Sequence, residues 1–415
     1  MRTRWTWSLM LVVAAAAVVV GVIWQLTGGT PAPPAAAPAT SAGATSAAVT
    51  TAPASGAAAA PSPAASGTEA CVDATVSALS LDEQVGQLLM IGTPVANPRT
   101  LTDAVSTYHL GGIFLAGRSK RTAASIRQDV EALQRASVDL PLLVALDQEG
   151  GAVQTLRGPD FPDIPSAVTQ GGWSTATLRG RTADSARRLA ATGVNLNLAP
   201  VADTVPAALG TANPPTGAFR RQYGSDPDAV AADIRTVVAA SQGSGVLTTL
   251  KHFPGLGRVR ANTDTSAKAV DAITTARDPY LKPFAAGMQA GSAAVMVSSA
   301  SYPKLDSKAI AAFSTPIITG LLRRHFGYSG LVMSDDLGAA AAVASVRTGD
   351  RAVRFVGAGG DLVLTVRPLD AAPMTNALLA AAKDSPAFAA RVTDAASHVV
   401  RAKYQAGLMR CPAAG

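Results

Sequence analysis

Not one charged residue lies between Arg4 and Glu69. Folded domains spread charge over their surfaces, so this absence excludes an ordinary globular start. Arg2 and Arg4 precede an apolar run from about Trp5 to Trp24 that is long enough to cross a bilayer as a helix. Residues 1–27 are therefore expected to be a signal peptide or an N-terminal membrane anchor, with the positive flank inside and the remainder exported. No cysteine stands near the end of the run, so a lipid-anchored form is not expected. Residues 28–70 are almost entirely Ala, Pro, Ser, Thr and Gly. That composition offers too little large apolar surface to offset the entropy of ordering, which predicts a disordered linker. Residues 71–415 are left for one folded domain, a length common among α/β barrels.

Cysteine is nearly absent too. The chain has two, Cys71 and Cys411, and they bracket the expected domain. In an oxidising exterior that placement predicts one disulfide joining the domain's ends, with two unrelated buried thiols as the alternative. No CxxC or HExxH spacing occurs, so no metal centre is expected. The formal charge of +7 suits an anionic cell envelope but is modest for 415 residues, and it indicates no nucleic-acid partner.

Within the domain, short apolar runs bounded by Gly, Pro or Asp alternate with longer, Ala-rich, charge-dotted stretches, the pattern of βα units. Eight runs occur: QLLMIG from Gln87, GGIFLAG from Gly111, LLVALD from Leu142, VNLNLAP from Val194, VLTTLKH from Val246, AAVMVSS from Ala293, GLVMSD from Gly330 and GDLVLT from Gly360. Strands buried on both faces and eight in number predict a closed (β/α)8 TIM barrel as a single catalytic domain. A doubly wound sheet is the alternative. It calls for a glycine-rich phosphate loop after the first strand, which GTPVANP at Gly92 to Pro98 does not resemble, so no nucleotide cofactor is expected.

Barrel enzymes build their sites from the C-terminal ends of the strands. The third run here ends in Asp147, Gln148, Glu149, Gly150 and Gly151; Asp203 follows the fourth; the fifth ends in Lys251 and His252, and the seventh in Asp335 and Asp336. Carboxylates, a lysine and an imidazole crowded on one rim need pairing or a polar ligand, and sugar hydroxyls are such ligands. Glycoside hydrolysis needs one group to attack the anomeric carbon or activate water and another to protonate the leaving oxygen. Asp335 is the candidate for the first, with Lys251 expected as a positive partner near the Asp335–Asp336 pair.

The strings DQEGG at Asp147 to Gly151, NLNLAPVAD at Asn195 to Asp203, KHFPGLG at Lys251 to Gly257 and VMSDDL at Val332 to Leu337 resemble, in order and spacing, the signatures of glycoside hydrolase family 3. The similarity runs from about Leu79 to Gly407, with no sandwich-like stretch after it, as in the family's single-domain β-N-acetylglucosaminidases. The resemblance implies that Asp335 is the nucleophile, forming a covalent glycosyl intermediate, with Asp336 as its supporting neighbour. It implies that Lys251 and His252 bind hydroxyls of the terminal sugar, that Asp147 receives another, and that Arg221 in RQYGSDP serves the same subsite.

Three departures stand out. Family members usually read DQEGGRVxR, where this chain has Ala152 and Thr155 in place of two arginines; Ser299 stands where a histidine is usual. The loop after KHFPGxG usually closes in Asp-Ser-His or Asp-Thr-His, the histidine serving as acid/base. Here the stretch is Asp264, Thr265, Ser266, and none of His109, His252, His325 and His398 falls in it. A serine hydroxyl has no usable acidity near neutral pH, so the nearest titratable group, Asp264, is the candidate acid/base; the alternative is a turn cap beside Asn262 and Thr263.

The resulting expectation is an exported, monomeric, exo-acting hydrolase acting on terminal β-linked N-acetylglucosaminides of peptidoglycan fragments or related sugars. It would meet the cell envelope or membrane through its N-terminal segment. Two alternatives stay open: a catalytically weakened barrel that binds cell-wall sugar, and another family 3 specificity, β-glucosidase or phosphorylase.

Overall fold

All eight apolar runs become strands of one parallel sheet: β1 (Leu89–Pro94), β2 (Gly112–Ala116), β3 (Leu143–Leu146), β4 (Leu196–Asn197), β5 (Leu247–Phe253), β6 (Ala294–Val297), β7 (Leu331–Ser334) and β8 (Val363–Thr365). Neighbours in sequence are neighbours in the sheet, and β1 also pairs with β8. A parallel bridge between Met333 and Leu362, with the Ser334 amide donating to the Leu362 carbonyl at 3.0 Å, closes β7 onto β8. The result is the (β/α)8 barrel. This computed structural model describes residues 63–411; the apolar segment at residues 1–27 and most of the expected linker lie outside the described residues. Among the described residues no helix is long and apolar enough to cross a membrane.

The strands read as unbroken apolar runs because both faces are buried. Side chains alternate across a strand, and two separate cores follow that alternation. Leu143 and Ala145 of β3, Ala294 and Met296 of β6, and Leu331 and Met333 of β7 fill the barrel interior. Val144 and Leu146, Val295 and Val297, and Val332 face the surrounding helices. Extending the inward phase places Asp147, Lys251 and Asp335 on the inner rim, in step with Ala145, Leu247 and Met333.

The helical layer starts where local chemistry favours it. α1 (Pro63–Ala78) begins ahead of Cys71, and α2 (Leu81–Gln87) opens on a full capping box between Ser80 and Glu83. Thr122 caps α3 (Ala123–Ala136), Ser174 caps α4 (Thr175–Ala190), and Asp226 with Pro227 opens α5 (Pro227–Gln242). The helix that follows Pro316 is wound as a π-helix over Pro316–His325. The last helix, α6 (Pro386–Gln405), caps the N-terminal mouth of the barrel: its Val399 and Ala402 join the interior core. Cys71 and Cys411 form a disulfide with Cα atoms 5.7 Å apart, tying α1 to the end of the chain. Beside it Glu69 accepts two hydrogen bonds from Arg401, the longer at 2.7 Å.

Candidate active site

A cavity of ≈ 250 Å³ opens at the C-terminal end of the barrel, floored by Phe114, Leu198, Met296 and Leu364 from the uppermost interior layer. Its walls divide by charge: Asp264, Asp335 and Asp336 on one side, Arg221, Lys251 and His252 with Asp147 on the other. Every residue singled out in the sequence as catalytic or sugar-binding lines this one space.

The cationic wall is held from behind by two carboxylates that the sequence reading left without a role. Glu149, fully enclosed, accepts from Arg221 Nε at 2.9 Å and Nη2 at 2.8 Å and from Lys251 Nζ at 2.6 Å. Burial alone raises a carboxyl pKa, but here the Arg221 and Lys251 charges prevail and Glu149 is pushed down to about 2. Lys251 also donates to Asp147 at 2.6 Å. Burial opposes its charge, yet Asp147 and Glu149 outweigh that cost and hold it above the usual lysine range. Lys251 therefore pairs with Asp147 and Glu149, not with the Asp335–Asp336 pair as expected. The physical reason is reach: strand alternation sets Asp147 and Glu149 on the same inward phase.

The second buried carboxylate is Asp203. Its Oδ1 accepts from the amides of His252 (3.0 Å) and Leu256 (2.8 Å), and its Oδ2 from His252 Nδ1 (2.8 Å) and the Thr216 hydroxyl (3.2 Å). Burial works against ionisation, but the His252 charge and these bonds keep Asp203 below its ordinary value. With Nδ1 committed to Asp203, the His252 Nε2 is left to the site, 3.4 Å from Arg221 Nη2. The glycines of the motifs have steric reasons. A Cβ on Gly257 would lie 1.8 Å from the Thr204 carbonyl oxygen, and Gly150 takes φ +104 with a Cβ position 2.4 Å from the Pro165 oxygen.

On the acidic wall the two adjacent aspartates differ. Asp336 accepts from the amides of Gly338 (2.8 Å), Ala339 (2.9 Å) and Val366 (3.0 Å), so its carboxyl organises the loop after β7. Asp335 accepts only the Asp336 amide, at 2.8 Å on Oδ1, leaving Oδ2 without a hydrogen-bond partner among the described residues and facing the cavity. Asp264 lines the same wall, near enough for its carboxyl to feel the Asp335 charge. The Asn262 side chain accepts the Asp264 amide at 2.9 Å, so the turn is capped by Asn262 while the Asp264 carboxyl faces the cavity. The carbonyls of Thr263 and Asp264 accept the amides of Ala342 and Ala341, both at 3.1 Å, tying this loop to the one that carries Asp335. Burial first and the Asp335 charge second raise the Asp264 pKa above its ordinary value. Ser266 is outside the cavity lining, its hydroxyl accepting the Lys268 amide at 3.1 Å.

A pocket that gathers carboxyl groups with an anchored lysine, arginine and imidazole, on the C-terminal rim of a (β/α)8 barrel, is the arrangement of a glycoside hydrolase. The family model for the glycosyl hydrolase family 3 N terminal domain matches residues 80–402, and the chain belongs to that family. It is similar to the β-N-acetylhexosaminidase of Beutenbergia cavernae DSM 12333, with a TM-score of 0.76 and 47% identity over 79% of this chain and 99% of that one. A family 3 β-N-acetylglucosaminidase from Paenibacillus sp. str. FPU-7 has a TM-score of 0.71 at 27% identity, over 81% of this chain and 65% of that one. A β-hexosaminidase of Stenotrophomonas maltophilia (strain K279a) is 36% identical over 259 residues, 60% of this chain and 75% of the relative.

Proposed function

We propose that the chain removes terminal β-linked N-acetylglucosamine from peptidoglycan fragments by a retaining mechanism, with Asp335 as nucleophile and Asp264 as acid/base. The protein is an exo-acting glycoside hydrolase of the β-N-acetylhexosaminidase type, as its family and its relatives support. The observation that carries the mechanism is the pairing of a carboxyl whose pKa is raised by burial and by Asp335 with a carboxylate that keeps one oxygen free.

In the first step the Asp335 Oδ2 attacks the anomeric carbon while Asp264 gives its proton to the departing oxygen, leaving a glycosyl ester on Asp335. The ester has no charge, so the part of the Asp264 pKa rise that comes from the Asp335 charge is gone. Asp264 is then suited to take a proton from water as water attacks the ester and frees Asp335. Lys251, Arg221, His252 and Asp147 hold the ring's hydroxyls, and the cavity of ≈ 250 Å³ suits one terminal sugar better than a length of chain. An oxidising, extracytoplasmic location accords with the Cys71–Cys411 disulfide and with the apolar segment at residues 1–27.

The test compares chromogenic β-N-acetylglucosaminide and β-glucoside, each with and without phosphate, and follows the first-formed anomer by NMR. Preferred hydrolysis of the N-acetylglucosaminide to the β-anomer, indifferent to phosphate, is expected. A sugar phosphate as product, preference for the glucoside, an α-anomer formed first, or binding without turnover would each overturn the reading.

A further inference from the structure

We propose that Glu83, His109 and Asp139 form a zinc-binding site on the N-terminal face of the barrel, opposite the catalytic rim. The three come from the first turn of α2 and from the loops that lead into β2 and β3. Their ligand atoms, one imidazole nitrogen and two carboxylate oxygens, all lie within 4.8 Å of one another. His109 Nδ1 is 2.5 Å from Asp139 Oδ2, and the Asp139 carboxyl is within hydrogen-bonding reach of Glu83. One Glu83 oxygen accepts the Ser80 amide at 2.6 Å in the capping box, and the same carboxyl meets Asp139.

Two features separate this group from a chance surface cluster. The two carboxyl groups share a single ion-pairing partner, the His109 imidazole, and among the described residues no lysine or arginine pairs with either. The nearby Lys403 is fully buried with its Nζ on Gln87; burial outweighs the Asp139 charge and pulls it down to about 7. The imidazole is also held in place. His109 sits at φ 51, its carbonyl accepts the Gln87 side chain at 2.9 Å, and Gly86 packs so closely that a Cβ there would lie 2.2 Å from the Tyr108 oxygen.

The donor set selects the ion. Calcium and magnesium take oxygen ligands, whereas one imidazole and two carboxylates, with water as a fourth ligand, suit Zn2+ at bond lengths of about 2.0–2.2 Å. A tetrahedral ion at that distance sets its donors about 3.4 Å apart. Binding requires the 2.5 Å His109–Asp139 contact to open and Glu83 to close on the ion. The ion would tie α2 to two strand-entry loops, and the N-terminal face of a barrel serves stability while chemistry occupies the other end. No sequence spacing announces the site, because positions 83, 109 and 139 belong to three different βα units.

Metal-stripped full-length protein is titrated with ZnCl2 by calorimetry, and its melting is followed with Zn2+ and with EDTA. The expected result is one equivalent bound through these residues and a Tm raised by on the order of 5 °C at saturating Zn2+. Both signals should be lost in His109→Ala and in Asp139→Asn, with the rate of glycoside hydrolysis unchanged. Replacing Zn2+ by Co2+ should give visible tetrahedral absorption bands that Asp139→Asn abolishes. No binding at about 100 µM Zn2+, or binding that survives both substitutions, overturns the proposal. Should His109→Ala fail to fold, the nearly isosteric Asp139→Asn decides alone.

Discussion

Replacing Glu149 by glutamine removes one negative charge from a position where it meets two buried cations, while keeping the side chain's shape. The pKa of Glu149, pushed from 4.5 down to about 2, corresponds to about 3 kcal/mol favouring its ionised form in the folded protein at pH 7. Loss of one partner from a buried pair costs a similar amount, about 3–5 kcal/mol, because Lys251 and Arg221 stay charged and enclosed. The sign in pH follows from the depressed pKa. The contribution is complete well above pH 4.5 and is lost as pH falls towards about 2, with about 1 kcal/mol remaining near pH 3. Urea denaturation of wild type and Glu149→Gln at pH 7 and near pH 3 measures both. A difference of about 3 kcal/mol that shrinks to about 1 supports the reasoning. A difference under about 0.5 kcal/mol at pH 7, or one equal at both pH values, refutes the account of Glu149 as the charge that fixes Lys251 and Arg221 in place.

Asp335→Asn should abolish turnover with the fold intact, whereas Asp336→Asn should chiefly loosen the loop after β7, whose three amides it holds; circular dichroism and steady-state rates separate the two. Asp264→Asn should slow natural substrates about 10² to 10⁴-fold and spare aryl glycosides with good leaving groups. Because the Asp264 pKa is raised, the wild-type rate should fall as pH rises through that pKa, and the variant should lack this limb; a limb that persists assigns the proton donor elsewhere. Cys71→Ser opens a crosslink spanning 340 residues and should lower stability by about 4 kcal/mol, read as a lower urea midpoint that added reductant no longer changes.

The sequence by itself determined the barrel and much of the site, because both depend on short-range rules. Eight apolar runs buried on two faces specify eight parallel strands, and the step of two along β3, β5 and β7 carries Asp147, Lys251 and Asp335 inward without help from any distant contact. Continuing that step from Asp147 also marks Glu149, already placed on the rim by the sequence, as inward.

The assignment of partners was decided only by tertiary structure. Lys251 chooses Asp147 and Glu149 over the Asp335–Asp336 pair because three separate strands bring those charges to chosen depths. Asp203 reaches His252 across 49 positions, and the loop of Asp264 is set against that of Asp335 by backbone bonds between remote turns. Charge in a low-dielectric cleft acts through distance and burial, and neither is written along the chain. Asp264 shows the division plainly: its residue type made it a candidate acid, but only enclosure beside Asp335 raises its pKa and suits it to the role.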